Sequence, residues 1–421
     1  MRKFYDVLKL NNGFRIAYSR RRSQITVARL SVRFGPIDEF PHEEGLAHLV
    51  EHVVSASGPR TMTRAAVRGI EARFPEANAE SDIHKTTFTC ESLGKDIADY
   101  LRFIKGCVLN PGFPTWAINE EKARVLLEFA EDHGDPNNRD AQRFNRSFYG
   151  KNSPHARDIV GKRPIIHTAT RKNLVQFHSR GYLLQNMELV LVGAVSNELL
   201  KVASNLFETC DAKKERKKQY CFPPPRRLTS PRVIVTPAPE LYDPSAPKES
   251  TGELLLGIQG PSEQEHYSPA VHLMAKILGG GGSSLLYREL SQRRGLSYSI
   301  GSYHNPTRND GGLFVQGGLR AVDSEESIDK IFGIFRALRQ RRVHHELLDC
   351  AKAAARLDFC MALDNNSARA EIIEDELDGS NVLGHERKVQ SVTRNDLIDA
   401  ANRYLPTSDG PYVILFRDPH K

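Results

Sequence analysis

The stretch GLAHLVEH, residues 45–52, sets His48 and His52 four positions apart with Glu51 between them. On a helix, residues four apart share a face, and Glu51, three after His48, borders it. Two neutral imidazoles on one turn can hold zinc with each nitrogen about 2.0–2.1 Å from the ion. The order is H-x-x-E-H, the inverse of the thermolysin type, and it leaves the carboxylate free to act as general base toward a water that the ion activates. A catalytic zinc needs a third protein ligand. NEEKARVLLEFAEDH (119–133) offers one, because Glu121 and Glu128 stand seven apart, two turns along one helix face. Glu128 falls within the apolar run VLLEFA, where a carboxylate is costly to bury unless it is paired or bound to a metal. The expected ligands are therefore His48, His52 and Glu128. Glu51 is the expected base, and Glu121 a carboxylate that orients the site from behind.

The elements that must position these residues are legible in outline. The chain has 421 residues, 39% of them hydrophobic, enough for more than one core. CDAKKERKKQYCFPPPRRLTSPR (210–232) is charged, then proline-rich, and reads as a linker. It separates an expected zinc-binding domain, 1–209, from a second domain, 233–421. The halves resemble each other: Gly35-Pro36 and Gly260-Pro261 are offset by 225, and Tyr182 and Tyr404 by 222. At the first offset the histidine positions become Leu273 and Ile277, so a second copy would lack the first one's chemistry. Alternating segments such as KTTFTCES and SYSIGSYH predict strands, and amphipathic runs at 96–108, 119–132, 323–340 and 344–362 predict helices. The expected class is α+β, with helices packed on one face of a mixed sheet.

Other features narrow the function. The formal charge is +7 and the sequence pI about 9.0. The basic runs SRRR and KKERKK lack interleaved aromatic residues, so no nucleic-acid partner is expected. No run of 18 apolar residues exists, so no membrane span is expected, and MRKFYDVLKL has no apolar h-region of a secretory signal. Six cysteines with no C-x-x-C pair predict reduced thiols and a cytoplasmic protein. LGGGGSS (278–284) has no following lysine and is not a phosphate loop, and HHE (344–346) reads as an exposed helix start.

These residues carry a resemblance to the pitrilysin/insulinase-type metallopeptidases, the inverzincins that include mitochondrial processing peptidase. GLAHLVEH is similar to that family's zinc helix, Glu128 follows His52 at its third-ligand spacing, and Glu121 falls on its other recurrent glutamate. NAESDIHKTTF (78–88), SPHARDIVG (153–161), YLLQNMELVLVGAV (182–195) and LGGGGSSLLYRELSQRRGLSYSI (278–300) resemble further family segments. The resemblance implies two homologous α/β sandwich domains with a mixed, mainly antiparallel sheet, a Zn2+ cofactor, and endopeptidase activity. It also implies that a peptide adds as a strand to the 78–88 edge, with Asn78 and Ala79 nearest the scissile bond.

Two departures stand out. The family's second domain carries an arginine seven residues before a tyrosine, a pair implied to bind the substrate carbonyl. Tyr298 is present, but position 291 is serine, and Arg293 and Arg294 are out of register. The loop HVVSASGPRT also differs from the family spacing. Single-chain relatives are implied to have four such domains around a chamber, and two are present here. The expectation is a heterodimer with a homologous subunit that lacks the zinc motif and supplies the Arg/Tyr pair. The expected activity is zinc-dependent cleavage of unfolded peptides, including maturation of a ribosomally made precursor peptide. The alternatives are a presequence-processing subunit and a catalytically silent scaffold of the same fold.

Overall fold

ITVARLSV alternates apolar residues with Arg29 and Ser31, the pattern of a strand with one wet face. The strand it forms, β3 (Ile25–Val32), is nonetheless buried from Thr26 through Val32. Something must therefore cover both of its faces. The computed structural model, which describes residues 4–210, 227–238, 250–340 and 343–420, shows what does.

The described residues fall into two compact units. In the first, β1 (Asp6–Lys9), β2 (Arg15–Arg20), β3, β4 (Ala77–Ser81), β5 (Thr86–Leu93) and β6 (Met187–Gly193) form a sheet in the order β1-β2-β6-β3-β5-β4. Only β2 and β6 pair in parallel. One face carries the main core. There Leu30, Val32 and Phe88 meet Leu49, Val50 and Val53 of helix α1 (Leu46–Ser57). Helices α2 (Arg64–Glu71), α3 (Ile97–Leu109) and α4 (Thr115–Gly134) complete that layer. The other face is closed by the helix Asn366–Asp378, which arrives from the far end of the chain. Its Ala370 and Ile373 pack on Ala17, Val27, Val190 and Val192.

The second unit repeats the plan. Strands β7 (Arg232–Pro237), β8 (Thr251–Gln259), β9 (Ser297–Pro306), β10 (Gly311–Arg320) and β11 (Val413–Asp418) run in the order β7-β11-β8-β10-β9. The single parallel pair is β7/β11, the counterpart of β2/β6. Here too one face is closed by a helix from elsewhere, α5 (Pro136–Phe148). Phe144 and Phe148 of α5 sit on Phe314, Val413 and Leu415. A Cβ on Gly257 would lie 2.5 Å from Phe144, so this close approach requires glycine.

The α+β expectation with two homologous sheets holds. The restriction of helices to one face does not, because each sheet borrows one helix for its other face from the opposite half of the sequence. No local pattern announces such an exchange. Leu273 and Ile277 lie buried in the helix Ser268–Gly279, which occupies the place of α1 in the second unit. Residues 211–226, most of the expected linker, lie outside the described residues. Among the described residues no helix is long and apolar enough to cross a membrane.

One buried histidine and two half-buried ones make stability depend on acid. Burial holds His178 and His272 down to about 4 and His304 to about 3. His385 and Lys276 reinforce the shift at His272, and a carbonyl contact opposes it at His178 and His304. Unfolding restores an ordinary value of about 6.5, so the unfolded chain binds more protons below that pH. This stability is complete above pH ~6.5 and is lost as pH falls toward 4. At pH 5 the three histidines contribute an uptake of about three protons on unfolding. The measurement is the pH dependence of the urea midpoint between pH 7 and 5, where a flat profile would contradict the assignment.

Candidate metal centre

Helix α1 is fixed at its start by an acid. The backbone N–H groups of Gly45 and Ala47 donate to Glu39 Oε1 at 3.0 and 2.8 Å, satisfying two of the unpaired donors that every helix N-terminus carries. Burial pushes the Glu39 carboxyl up to about 8, against these two bonds. Gly45 has φ 104°, and Gly161 approaches it so closely that a Cβ there would lie 2.1 Å from Gly45 Cα. Leu49, Val50, Val53 and Val54 anchor the helix to the core. His48, Glu51 and His52 are then left facing a cleft of about 530 Å³ that β4, α4 and Ile159 also line.

Across the cleft stands α4. His48 Nε2 and His52 Nε2 lie 2.8 Å apart, and each is 3.4 Å from Glu128 Oε2. The three expected ligands thus converge. His52 Nδ1 lies 3.1 Å from the buried Glu121 Oε2. A carboxylate accepts only, so Nδ1 donates, and in the neutral imidazole His52 Nε2 presents a lone pair. Glu128 also offers only lone pairs. With His52 neutral, two electron-pair donors face each other at 3.4 Å, an arrangement that a bound cation would satisfy. For bonds of 2.0–2.1 Å the edge of a tetrahedral site is about 3.3 Å, so two of the three edges suit zinc and the third is tighter. His48 Nδ1 is buried without a hydrogen-bond partner.

The electrostatics of the two histidines differ. Burial and the neighbouring His52 hold His48 down to about 4, so it is a neutral ligand at neutral pH. Burial alone would lower His52 as well, but Glu121, Glu51 and Glu128 outweigh it and raise its pKa. Glu51 is buried and is no member of the ligand trio. Burial raises its carboxyl, while a 2.7 Å hydrogen bond from Ser81 Oγ opposes the rise. Asp132 and His133, further along α4, form with Asp158 a second group with ligand atoms within 4.8 Å of one another.

Several expectations change in detail. The Glu128 side chain is 37% exposed. It meets the histidines because it borders the cleft, not because it is buried in an apolar run. Segment 78–88 is two strands: Asp82 Oδ1 accepts from the N–H groups of His84 and Lys85 and turns the chain between β4 and β5. Of these two strands only β4 lies at an edge of the sheet. Asn78 and Ala79 both border the cleft, but strand alternation puts Ala79 and Ser81 toward α1 and Asn78 toward the opposite face. Asn78 can therefore serve a substrate through its backbone. Ser81, which donates to Glu51, was missed. It shares the parity of Ala79, the one signal that could have found it. Tyr298 lies on β9 of the second unit and is 95% exposed, so it is not among the residues gathered here. Arg293 and Arg294 are engaged by Glu289, and Arg294 also by Glu326.

Glu121 tests the orienting role. A Glu121→Gln chain is expected to bind zinc about 10–100-fold more weakly, read by competition with a chromogenic chelator. An unchanged affinity would show that the His52–Glu121 contact does nothing for the ion.

Comparisons with known proteins agree with this geometry. Residues 15–154 match the model described as insulinase, peptidase family M16, and residues 168–355 match that of the peptidase M16 inactive domain. An uncharacterized zinc protease of Rickettsia bellii is 26% identical over 98% of this chain and 98% of its own length. A probable mitochondrial-processing peptidase subunit beta of Arabidopsis thaliana is 24% identical over 96% of this chain and 76% of its own. A protease from Helicobacter pylori superposes with a TM-score of 0.85 at 20% identity, covering 99% of both chains, and this likeness shows the shared fold. The inactive-domain match falls largely on the half in which Leu273 and Ile277 replace the histidines. The chain belongs to the insulinase family of peptidases, M16, and its metal is zinc.

Proposed function

We propose that this chain is a zinc-dependent endopeptidase subunit that cleaves unfolded peptides. One observation carries the reading: His48, His52 and Glu128 converge beside a buried Glu51 that is no member of their trio, next to an exposed sheet edge. The ion, when bound by these three, supplies Lewis-acid activation. The residues do the rest. The outer side of β4 offers unpaired backbone groups that a peptide can join as a further strand, with Asn78 and Ala79 at the register of the cleft. Glu51 accepts a proton from the attacking water and returns it to the leaving amine. Ser81 keeps the carboxylate aimed, and Glu121 keeps His52 in the tautomer that offers Nε2 outward. Main-chain pairing tolerates many sequences, which suits a ribosomally made precursor peptide.

The partner reading follows from what is missing. Ser291 stands where the expected arginine would, and Arg293 and Arg294 are tied to acids. A homologous subunit without the histidine pair would supply an Arg/Tyr pair and close a chamber, and Tyr298 of this chain would contribute there. The sequence-level cysteine pattern supports a cytoplasmic setting. The name of the Arabidopsis relative, a processing-peptidase subunit, favours presequence removal as the second reading. The test is peptide cleavage by the purified chain with zinc, with and without its homologous partner. Activity removed by a chelator and dependent on the partner is expected. Full activity alone would remove the heterodimer, and a zinc-loaded pair that cleaves nothing would leave the scaffold.

A further inference from the structure

The edge strand β4 is poorly held by its own residues. It is five residues long and mostly exposed, and its inward side chains are Ala77, Ala79 and Ser81. Strands with so little apolar burial open locally at small cost. One ladder, to β5, joins it to the sheet. On the face away from His48 and His52, the guanidinium of Arg29 reaches it. Arg29 of β3 donates from Nη2 to Glu80 Oε1 of β4 at 3.1 Å, from Nη1 to Glu371 Oε1 at 3.3 Å, and from Nε to Glu374 Oε2 at 2.9 Å. Glu374 is wholly buried, and its other oxygen meets Lys85 Nζ at 2.9 Å and the hydroxyl of Ser31. Between β3 and β4 lies β5, so the Arg29–Glu80 pair spans two strand spacings, about 10 Å. It fastens the edge, where Glu80 borders the cleft, to a buried ionic anchor on the other face of the sheet.

We infer that the Glu80–Arg29–Glu374 strut is a positioning device that holds β4 in register as the template for the substrate strand. The inference rests on the proposed peptidase reading for the identity of what β4 binds. A peptide joining a frayed edge must first order it, and that cost is subtracted from binding. Once bound, the peptide itself orders the edge. Loss of the strut therefore raises KM.

The chain contains its own control. Glu80 and Glu371 face the same guanidinium with nearly equal exposure, 57% and 56%, but only Glu80 lies on β4. Both are surface acids whose amides threaten neither folding nor zinc. In Glu80→Gln, amide hydrogen exchange at 77–81 is expected to accelerate about 3–10-fold, the range of a partly shielded ion pair. KM is expected to rise by a similar factor at constant zinc content. Glu371→Gln is expected to change neither. Exchange in Glu80→Gln that matches the parent, or an equal effect of Glu371→Gln, would overturn the strut. The exchange readout needs no turnover, so a parent chain that cleaves no peptide would sink the peptidase reading while exchange still decides the strut.

Discussion

Replacing Glu51 by glutamine is expected to lower kcat/KM for a peptide by about 10²–10⁴-fold, the usual range for removing a positioned general base, with zinc content unchanged. The split follows from the geometry. The proposed ligand atoms belong to His48, His52 and Glu128, whereas Glu51 is held by Ser81. Glutamine has the same shape and can still accept from Ser81, but it cannot take a proton from water. Metal analysis together with single-turnover kinetics separates the outcomes. A loss below about tenfold would remove Glu51 from proton transfer, and loss of zinc alongside activity would make it a ligand.

The second large effect lies behind the sheet. Glu374→Ala is expected to destabilise the first unit by about 3–5 kcal/mol, because it strands Arg29 and Lys85, both shielded, without their shared counter-ion. At roughly 2–4 °C per kcal/mol for a unit of this size, the melting temperature should fall by about 6–20 °C. Burial alone would raise the Glu374 carboxyl, but Lys85 and Arg29 outweigh it and hold the pKa below the usual carboxylate value. The stabilisation is therefore present above the unfolded pKa near 4.5 and fades as pH falls through the folded value, so parent and variant should converge in acid. A difference under about 1 kcal/mol at pH 7, the scale of an exposed pair, would show the network to be solvated.

The metal trio was legible because helical spacing is local. His48, Glu51 and His52 lie within one turn of each other, and Glu121 and Glu128 repeat on a second face, so two short patterns sufficed. The duplication was legible from the Gly-Pro and tyrosine offsets, and the matching strand orders bear it out. What escaped was long-range or hung on one turn. Nothing near Arg29 reveals that its partners are Glu371 and Glu374, more than 340 positions away. Asp82 was the turn signal that separates β4 from β5, since an Asp side chain bonding backbone two and three residues on is a common turn device. With 78–88 taken as one strand, the alternation that sets Ser81 toward Glu51 stayed hidden.

The borrowed helices have a consequence for how the protein is made. The last strand of the N-terminal sheet, β6, ends at Gly193, but the helix that shields Ala17, Val27, Val190 and Val192 begins at Asn366. At 5–20 residues per second, a ribosome needs on the order of ten seconds or more to bridge that gap. Throughout it the nascent chain presents an uncovered apolar surface with an incomplete fold. Such a chain is a natural client for a holding chaperone, and slowing translation within that window should lower the yield of native protein more than slowing it after Asp378.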